Sequence, residues 1–144
     1  DVKQESKGVD FELIAKPING LSIIAGYAYN ENRILKATNP ALEGNKAASS
    51  PENVVNFWTT YTFQNKFKGL GAGLGANYVD DNYFTVDNTF YMPSYMIYNA
   101  TVFYDQPNWR VGVKLNNITN EKYWDIWGAS QAPTNLLVSL SLKF

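Results

Sequence analysis

Apolar and polar residues alternate over residues 135–144 with Leu137 as the one exception, so in an extended strand Leu136, Val138, Leu140, Leu142 and Phe144 share one face. The opposite face carries Leu137, Ser139, Ser141 and Lys143. A period of two argues for a sheet rather than an amphipathic helix. The sheet then needs a cover for an apolar face that ends on an aromatic ring. In a water-soluble sheet the cover is a second packed layer; in a membrane sheet it is lipid.

Composition narrows the choice without making it. The chain has 144 residues, enough for one ordinary domain. A net charge of −1 leaves no electrostatic footprint for nucleic acid. Cysteine and histidine are both absent. That removes disulfides, thiolate chemistry, the commonest general base and the commonest transition-metal ligand. No run approaches the roughly 18 apolar residues of a membrane helix, and residues 1–7 lack the apolar core of a signal peptide. Membrane strands stay open, because they show only alternating hydrophobicity.

The same alternation predicts six further strands, over residues 8–16, 21–32, 53–64, 70–80, 94–104 and 109–116, and no helix. Short turns follow the first, third and fifth strands, the first of them at Asn19-Gly20. Long loops over residues 33–51, 81–92 and 117–134 follow the others. In an up-and-down meander the short turns gather at one end of the sheet and the long loops at the other. Outer-membrane barrels have this asymmetry.

Charge follows the faces. The aliphatic and aromatic face carries none, whereas the opposite face collects Asp10, Glu12, Lys16, Arg110, Lys114 and Lys143 among glycine, asparagine and threonine. Tyr27, Tyr29 and Tyr78 stand beside the long loops; Phe63, Tyr104, Trp109 and Phe144 stand beside the short turns. Two aromatic girdles with aliphatic residues between them are the signature of a membrane barrel. A soluble sheet with one packed face alternates as cleanly. The long strands, sorted loops and girdles favour the barrel.

The residues also carry a family resemblance. Gly8-Val-Asp-Phe-Glu-Leu13, Gly20-Leu-Ser-Ile-Ile-Ala-Gly-Tyr-Ala-Tyr29, Trp58-Thr-Thr-Tyr-Thr-Phe63 and Gly69-Leu-Gly-Ala-Gly-Leu74 resemble the C-terminal barrel region of TonB-dependent siderophore receptors. The resemblance continues through Pro93-Ser-Tyr95, Tyr98-Asn-Ala100 and Val113-Lys-Leu-Asn-Asn-Ile-Thr-Asn-Glu-Lys-Tyr-Trp124 to the aromatic-ended last strand. It implies an all-β fold: an antiparallel up-and-down meander of seven long strands, the C-terminal part of a transmembrane β-barrel in the bacterial outer membrane. Such receptors close about 22 strands around a plug domain. Residues 1–144 would then be one portion of a longer receptor, with the plug, the TonB box and the earlier strands outside it.

The resemblance further implies a ferric siderophore as cargo, with iron entering only inside that complex and no resident cofactor. It implies energy delivered by TonB with ExbB and ExbD through the N-terminal region. It also implies insertion by the barrel-assembly machinery, reading Val138, Leu140, Leu142 and Phe144, and a belt of outer-membrane lipid. Two open strand edges would need the missing strands as partners.

No catalytic constellation emerges. Asp80 with Asp81, and Asp10 with Glu12, are the only candidate carboxylate pairs, and neither has a histidine to work with. Gly71, Gly73 and Gly75 alternate within a strand, which points to a flat inward face approached by neighbouring backbone such as a plug, not to a phosphate loop. Binding residues are better sought in the loops. Tyr83, Phe84, Phe90, Tyr91, Tyr123, Trp124 and Trp127 place aromatic rings at the external mouth, Arg33 and Lys36 add positive charge, and Trp58 faces the lumen. Such a mouth suits a bulky, partly aromatic, often anionic iron complex. The alternatives are a structural barrel or adhesin completed by oligomerisation, import of a cobalamin or an oligosaccharide, and a small barrel lipase or protease.

Overall fold

The computed structural model describes residues 2–144. Seven strands form one antiparallel sheet: β1 (Lys3–Ala15), β2 (Leu21–Lys36), β3 (Asn53–Thr62), β4 (Leu70–Val79), β7 (Tyr95–Asp105), β8 (Trp109–Asn116) and β9 (Asn135–Leu142), in that spatial order. A small hairpin, β5 (Asn82–Tyr83) with β6 (Tyr91–Met92), lies within the loop between β4 and β7. A single 3-10 turn, Pro40–Leu42, is capped by the Asn39 side chain, which accepts from the Ala41 amide at 3.1 Å. The sheet is the expected meander.

Register fixes the faces. Phe11, Tyr27, Val55, Tyr78 and Met96 pair in succession across five strands, so one row of side chains points to one side. Ile24, Trp58, Gly75 and Asn99 form the adjoining row on the other side. Along β4 burial alternates in step: Gly71, Gly73 and Gly75 are buried while Ala72 and Leu74 are exposed. The outward row stays open from end to end, with Leu140 at 67% exposure. Among the described residues only Ile34, Met92 and Phe103 are buried apolar side chains. Among the described residues no second layer covers either face.

The strand ends differ from expectation at both ends of the chain. The first hairpin is longer than the alternation predicts: β1 begins at Lys3 and β2 runs on to Lys36, their pairing extending to Lys3 opposite Lys36. The β2–β3 ladder stops at Tyr29 opposite Asn53. The hairpin therefore projects about 23 Å past that point, at roughly 3.3 Å per residue. On the β1 side, over residues 3–7, both faces are polar, which erases the period-two signal, while ladder hydrogen bonds form whatever the side chains. Ion pairs on the projection, such as Lys7 to Glu5 at 2.7 Å, suit an aqueous setting. At the other end of the chain β9 closes at Leu142 rather than Phe144, although the Lys143 amide still donates to the Asn108 carbonyl at 2.9 Å.

The short turns work because Gly20 and Gly69 adopt φ values of +85° and +93°. A Cβ at either would collide with a carbonyl of the next strand pair, Thr62 and Asp105 respectively. Aromatic rings collect at this end: Tyr61, Phe63 and Phe67 meet edge to face, as do Tyr104 and Trp109 at 5.5 Å between centroids. At the long-loop end the Tyr27 hydroxyl donates to Asn53 at 2.8 Å and the Tyr78 hydroxyl to Asp80 at 3.1 Å. Rings with one wet end mark the two edges of an apolar band.

Candidate functional site

The loop after β8 is organised by Asn117, which is 3% exposed and sits at φ 50°. Its side chain donates to the Glu121 and Ala132 carbonyls at 2.9 and 3.2 Å and accepts from the Glu121 amide at 2.8 Å. Further out, Asp125 accepts from the Trp127 and Ala129 amides, each at 2.9 Å, and from the Gln131 side chain at 3.0 Å. Asparagine tolerates the left-handed conformation, and aspartate mimics a backbone turn. Together they hold Trp124 and Trp127 outward on a tight bend, Trp127 with 73% of its surface exposed.

The β5–β6 hairpin is built in the same way. Asp87 at its tip accepts from the Thr89 amide and hydroxyl at 3.2 and 2.8 Å and also from the Thr85 hydroxyl. The Thr85 hydroxyl and then the Thr89 groups hold its carboxyl below the usual aspartate range. Phe84 and Phe90 face each other across the hairpin at 5.9 Å, edge to face. Asn88 clips this hairpin to the loop after β2: its side chain accepts from the Lys46 amide and donates to the Lys46 carbonyl, both at 2.9 Å. The Ser49 amide adds a bond to the Tyr83 carbonyl at 2.7 Å.

Where the hairpin meets the last loop, the Phe84 ring packs against Gly128, where an added Cβ would lie 3.2 Å from it and where φ is +79°. An apolar pocket of about 580 Å³ results, lined by Phe84, Phe90, Tyr91, Met92, Pro93, Trp124, Trp127 and Gly128. Its size and aromatic lining are those of a small-molecule site. The described residues contain no group of three or more acidic, cysteine or histidine side chains placed to hold a metal ion.

Of the residues expected to contact a ligand, Phe84, Phe90, Tyr91, Trp124 and Trp127 come together in this pocket. Tyr83 sits beside it, its ring edge on Tyr91 at 6.4 Å. Trp58 lies far down the inner face, over Gly75, with the Lys114 ammonium 5.8 Å from its ring centre. Arg33 is on the outward row of β2, paired with Glu31 and donating to the Gly44 carbonyl at 3.2 Å. It therefore adds no free positive charge to the pocket. Met92, Pro93 and Gly128 complete the lining and carried no signal in the sequence beyond being apolar or small. Phe90 was legible as one of the loop aromatics.

The glycine row has a different purpose from the one expected. A Cβ on Gly75 would overlap the Trp58 ring and one on Gly71 the Phe103 ring, so side chains of this chain, not an approaching backbone, fill the gaps. The Arg110 guanidinium in turn lies 4.1 Å above the Phe103 ring. Of the terminal-strand residues, Val138, Leu140 and Leu142 lie on the exposed outward row of β9, and Phe144 follows them, fully exposed.

Comparison with known proteins agrees with this architecture. The family described as TonB dependent receptor-like, beta-barrel, matches residues 3–118. The chain is 28% identical over 145 residues to the ferrioxamine receptor of Yersinia enterocolitica, covering 90% of this chain and 20% of that protein. It is 32% identical over 127 residues to the ferrioxamine B receptor of Salmonella typhimurium, covering 83% and 18%. Among solved structures, the ferric preacinetobactin receptor of Acinetobacter baumannii superposes with a TM-score of 0.85 at 22% identity, over 100% of this chain and 23% of that one. The chain thus spans about one fifth of the length of the relatives it matches. Its seven strands are a segment of an outer-membrane barrel wall. By that match across most of its length, this chain belongs to the TonB-dependent receptor-like β-barrel family.

Proposed function

We propose that residues 1–144 form the C-terminal wall and part of the external mouth of a receptor that imports a ferric siderophore across the outer membrane. The pocket between the β5–β6 hairpin and the last loop carries the reading, since aromatic faces at the long-loop end of a receptor barrel suit stacking on a bulky organic complex. In this reading Phe84, Tyr91, Trp124 and Trp127 touch the cargo, while Tyr83 and Trp58 support the wall. Iron is cargo, held by the siderophore rather than by protein ligands. TonB, ExbB and ExbD supply energy through a plug domain, and the barrel-assembly machinery reads Val138, Leu140, Leu142 and Phe144.

The relatives are receptors and transporters, which leaves the adhesin and enzyme readings without support. The test is uptake of radiolabelled ferric siderophores by iron-starved cells that carry the complete receptor and no other. Uptake that requires TonB and falls about tenfold with Trp127→Ala supports the proposal, a change of about 1.4 kcal/mol. Uptake indifferent to TonB refutes it.

A further inference from the structure

The net charge of −1 conceals a separation of charge along the strands. Residues 2–7, 29–53, 80–94 and 117–135, at the long-loop end, hold nine carboxylates against six cations. Asp10, Glu12 and Lys114 lie mid-strand. The short-turn end holds Lys16, Lys66, Lys68, Arg110 and Lys143 against Asp105 alone. A terminal carboxylate on Phe144 would still leave an excess of three positive charges there. Asp105 is itself paired, with Lys143 at 2.6 Å and Arg110 at 3.8 Å. Among the described residues Lys16, Lys66 and Lys68 form no ion pair.

The second short turn sets two of these lysines beside apolar surface. In Asn65-Lys-Phe-Lys-Gly69 the Lys68 amide donates to the Asn65 carbonyl at 3.0 Å, and Phe67 stands 64% exposed. Its ring meets Phe63 edge to face at 6.3 Å, and Phe63 meets Tyr61, the last outward residue of β3, at 5.2 Å. The outward row of rings thus runs off the strand and onto the turn, where a lysine flanks it on each side. Rings of this kind settle at the edge of the hydrocarbon while lysines reach into the head-group layer. Beside the turn lies a shallow groove of about 300 Å³, lined among others by Phe63, Gln64, Lys68, Asp105, Gln106 and Lys143. It joins an apolar wall to two ammonium groups, of which only Lys143 has a carboxylate partner. A phosphodiester carrying acyl chains fits both: the chains follow the rings, and the phosphate meets Lys68.

We propose that the Lys66-Phe67-Lys68 turn and its neighbouring groove bind an anionic glycerophospholipid of the inner leaflet in preference to a zwitterionic one. Short turns of outer-membrane barrels face the periplasm, so the lipid they meet belongs to that leaflet. A zwitterionic head group brings its own cation towards the lysines, whereas an anionic one does not. Each lysine near an anionic lipid surface contributes about a fivefold factor in affinity. Binding of this kind depends on the barrel wall and its membrane, not on the cargo.

The test titrates the complete receptor in detergent with phosphatidylglycerol and with phosphatidylcholine of the same acyl chains, and counts bound lipids by native mass spectrometry. Phosphatidylglycerol should bind at least about fivefold more tightly at low ionic strength, and the gap should shrink as ammonium acetate is raised. Lys66→Gln with Lys68→Gln, at two exposed turn positions, should weaken phosphatidylglycerol at least about fivefold and leave phosphatidylcholine unchanged. Lys36→Gln with Lys122→Gln, at the long-loop end, should change neither lipid. Phe67→Ala should weaken both alike. Lipopolysaccharide, whose phosphates belong to the outer leaflet, should bind the wild type and the Lys66/Lys68 variant equally. Equal binding of the two phospholipids by the wild type, or undiminished phosphatidylglycerol binding by that variant, overturns the inference. So does tight binding of a polyglutamate peptide that the same variant loses, which would assign the turn to an acidic protein instead.

Discussion

The Trp58 indole occupies the space left by Gly75 on the adjoining strand, where an added Cβ would overlap its six-membered ring. The pair explains why a wide aromatic side chain sits on the inner wall without pushing the sheet apart. Gly75→Val should destabilise the complete receptor by about 1–3 kcal/mol through overpacking. Gly26→Ala, whose new Cβ would meet nothing nearer than the Phe11 carbonyl at 3.9 Å, should be close to neutral. Combining Gly75→Val with Trp58→Ala should recover part of the loss, a non-additivity expected of residues in contact. Urea unfolding in lipid vesicles measures these three variants and Trp58→Ala alone, which completes the cycle.

Lipid contact of the outward row predicts position-dependent tolerance. Arginine at Leu74 or Leu140 should cost about 2–4 kcal/mol near the bilayer midplane. Arginine at Ser139, on the inward face beside Gly112, should cost far less. Equal folding yields into vesicles for the two classes would reverse the assignment of faces.

Asn88 joins two loops through the main chain of Lys46 and needs its left-handed conformation, at φ 56°. Asn88→Gly keeps the conformation and removes the clip, so it should speed hydrogen exchange at the Lys46 amide. A loss of about 1–3 kcal/mol of local protection matches one buried donor and acceptor left unpaired. Unchanged exchange would mean that the remaining contacts, Ser49 to Tyr83 and Asn45 to Val86, suffice to hold the loops together.

A pH response should centre on Asp80, which accepts from Asn53 at 2.6 Å, from the Tyr78 hydroxyl at 3.1 Å and from the Asp81 amide at 3.1 Å. Burial pushes its carboxyl upward, and these hydrogen bonds outweigh it, holding the group below the ordinary value of 3.8. A depressed pKa stabilises the folded loop above the unfolded value and loses that stabilisation as pH falls through the folded one. Protection of the Asp81 amide relative to its intrinsic exchange rate should therefore hold at neutral pH and fall only below pH 3.8. Asp80→Asn should abolish this acid dependence.

The proposed reading of Val138, Leu140, Leu142 and Phe144 by the barrel-assembly machinery predicts an assembly phenotype. Removing Phe144 from the complete receptor should lower its surface abundance without changing siderophore affinity in the molecules that insert. Surface labelling and binding on the same cells separate the two quantities. Reduced affinity with normal abundance would place Phe144 in the site instead.

Seven strands, their faces and the sorting of turns from loops could be read from the sequence, because strand periodicity is local and each residue's side is set by its neighbours. The projection of β1 and β2 was invisible for the same reason: between Lys3 and Lys7 both faces are polar, and no pattern survives. The aromatic loop residues were legible as a class, yet the pocket itself was not. Phe84 meets Gly128, and Lys46 meets Asn88, across loops that composition does not place together. Arg33 looked like a free cation until the fold set Glu31 beside it. The alternating glycines looked like a flat face for approaching backbone until neighbouring strands brought Trp58 and Phe103 into the gaps. Period and polarity settle which way a side chain points, while its partners depend on how distant segments pair, and only the tertiary structure decides that.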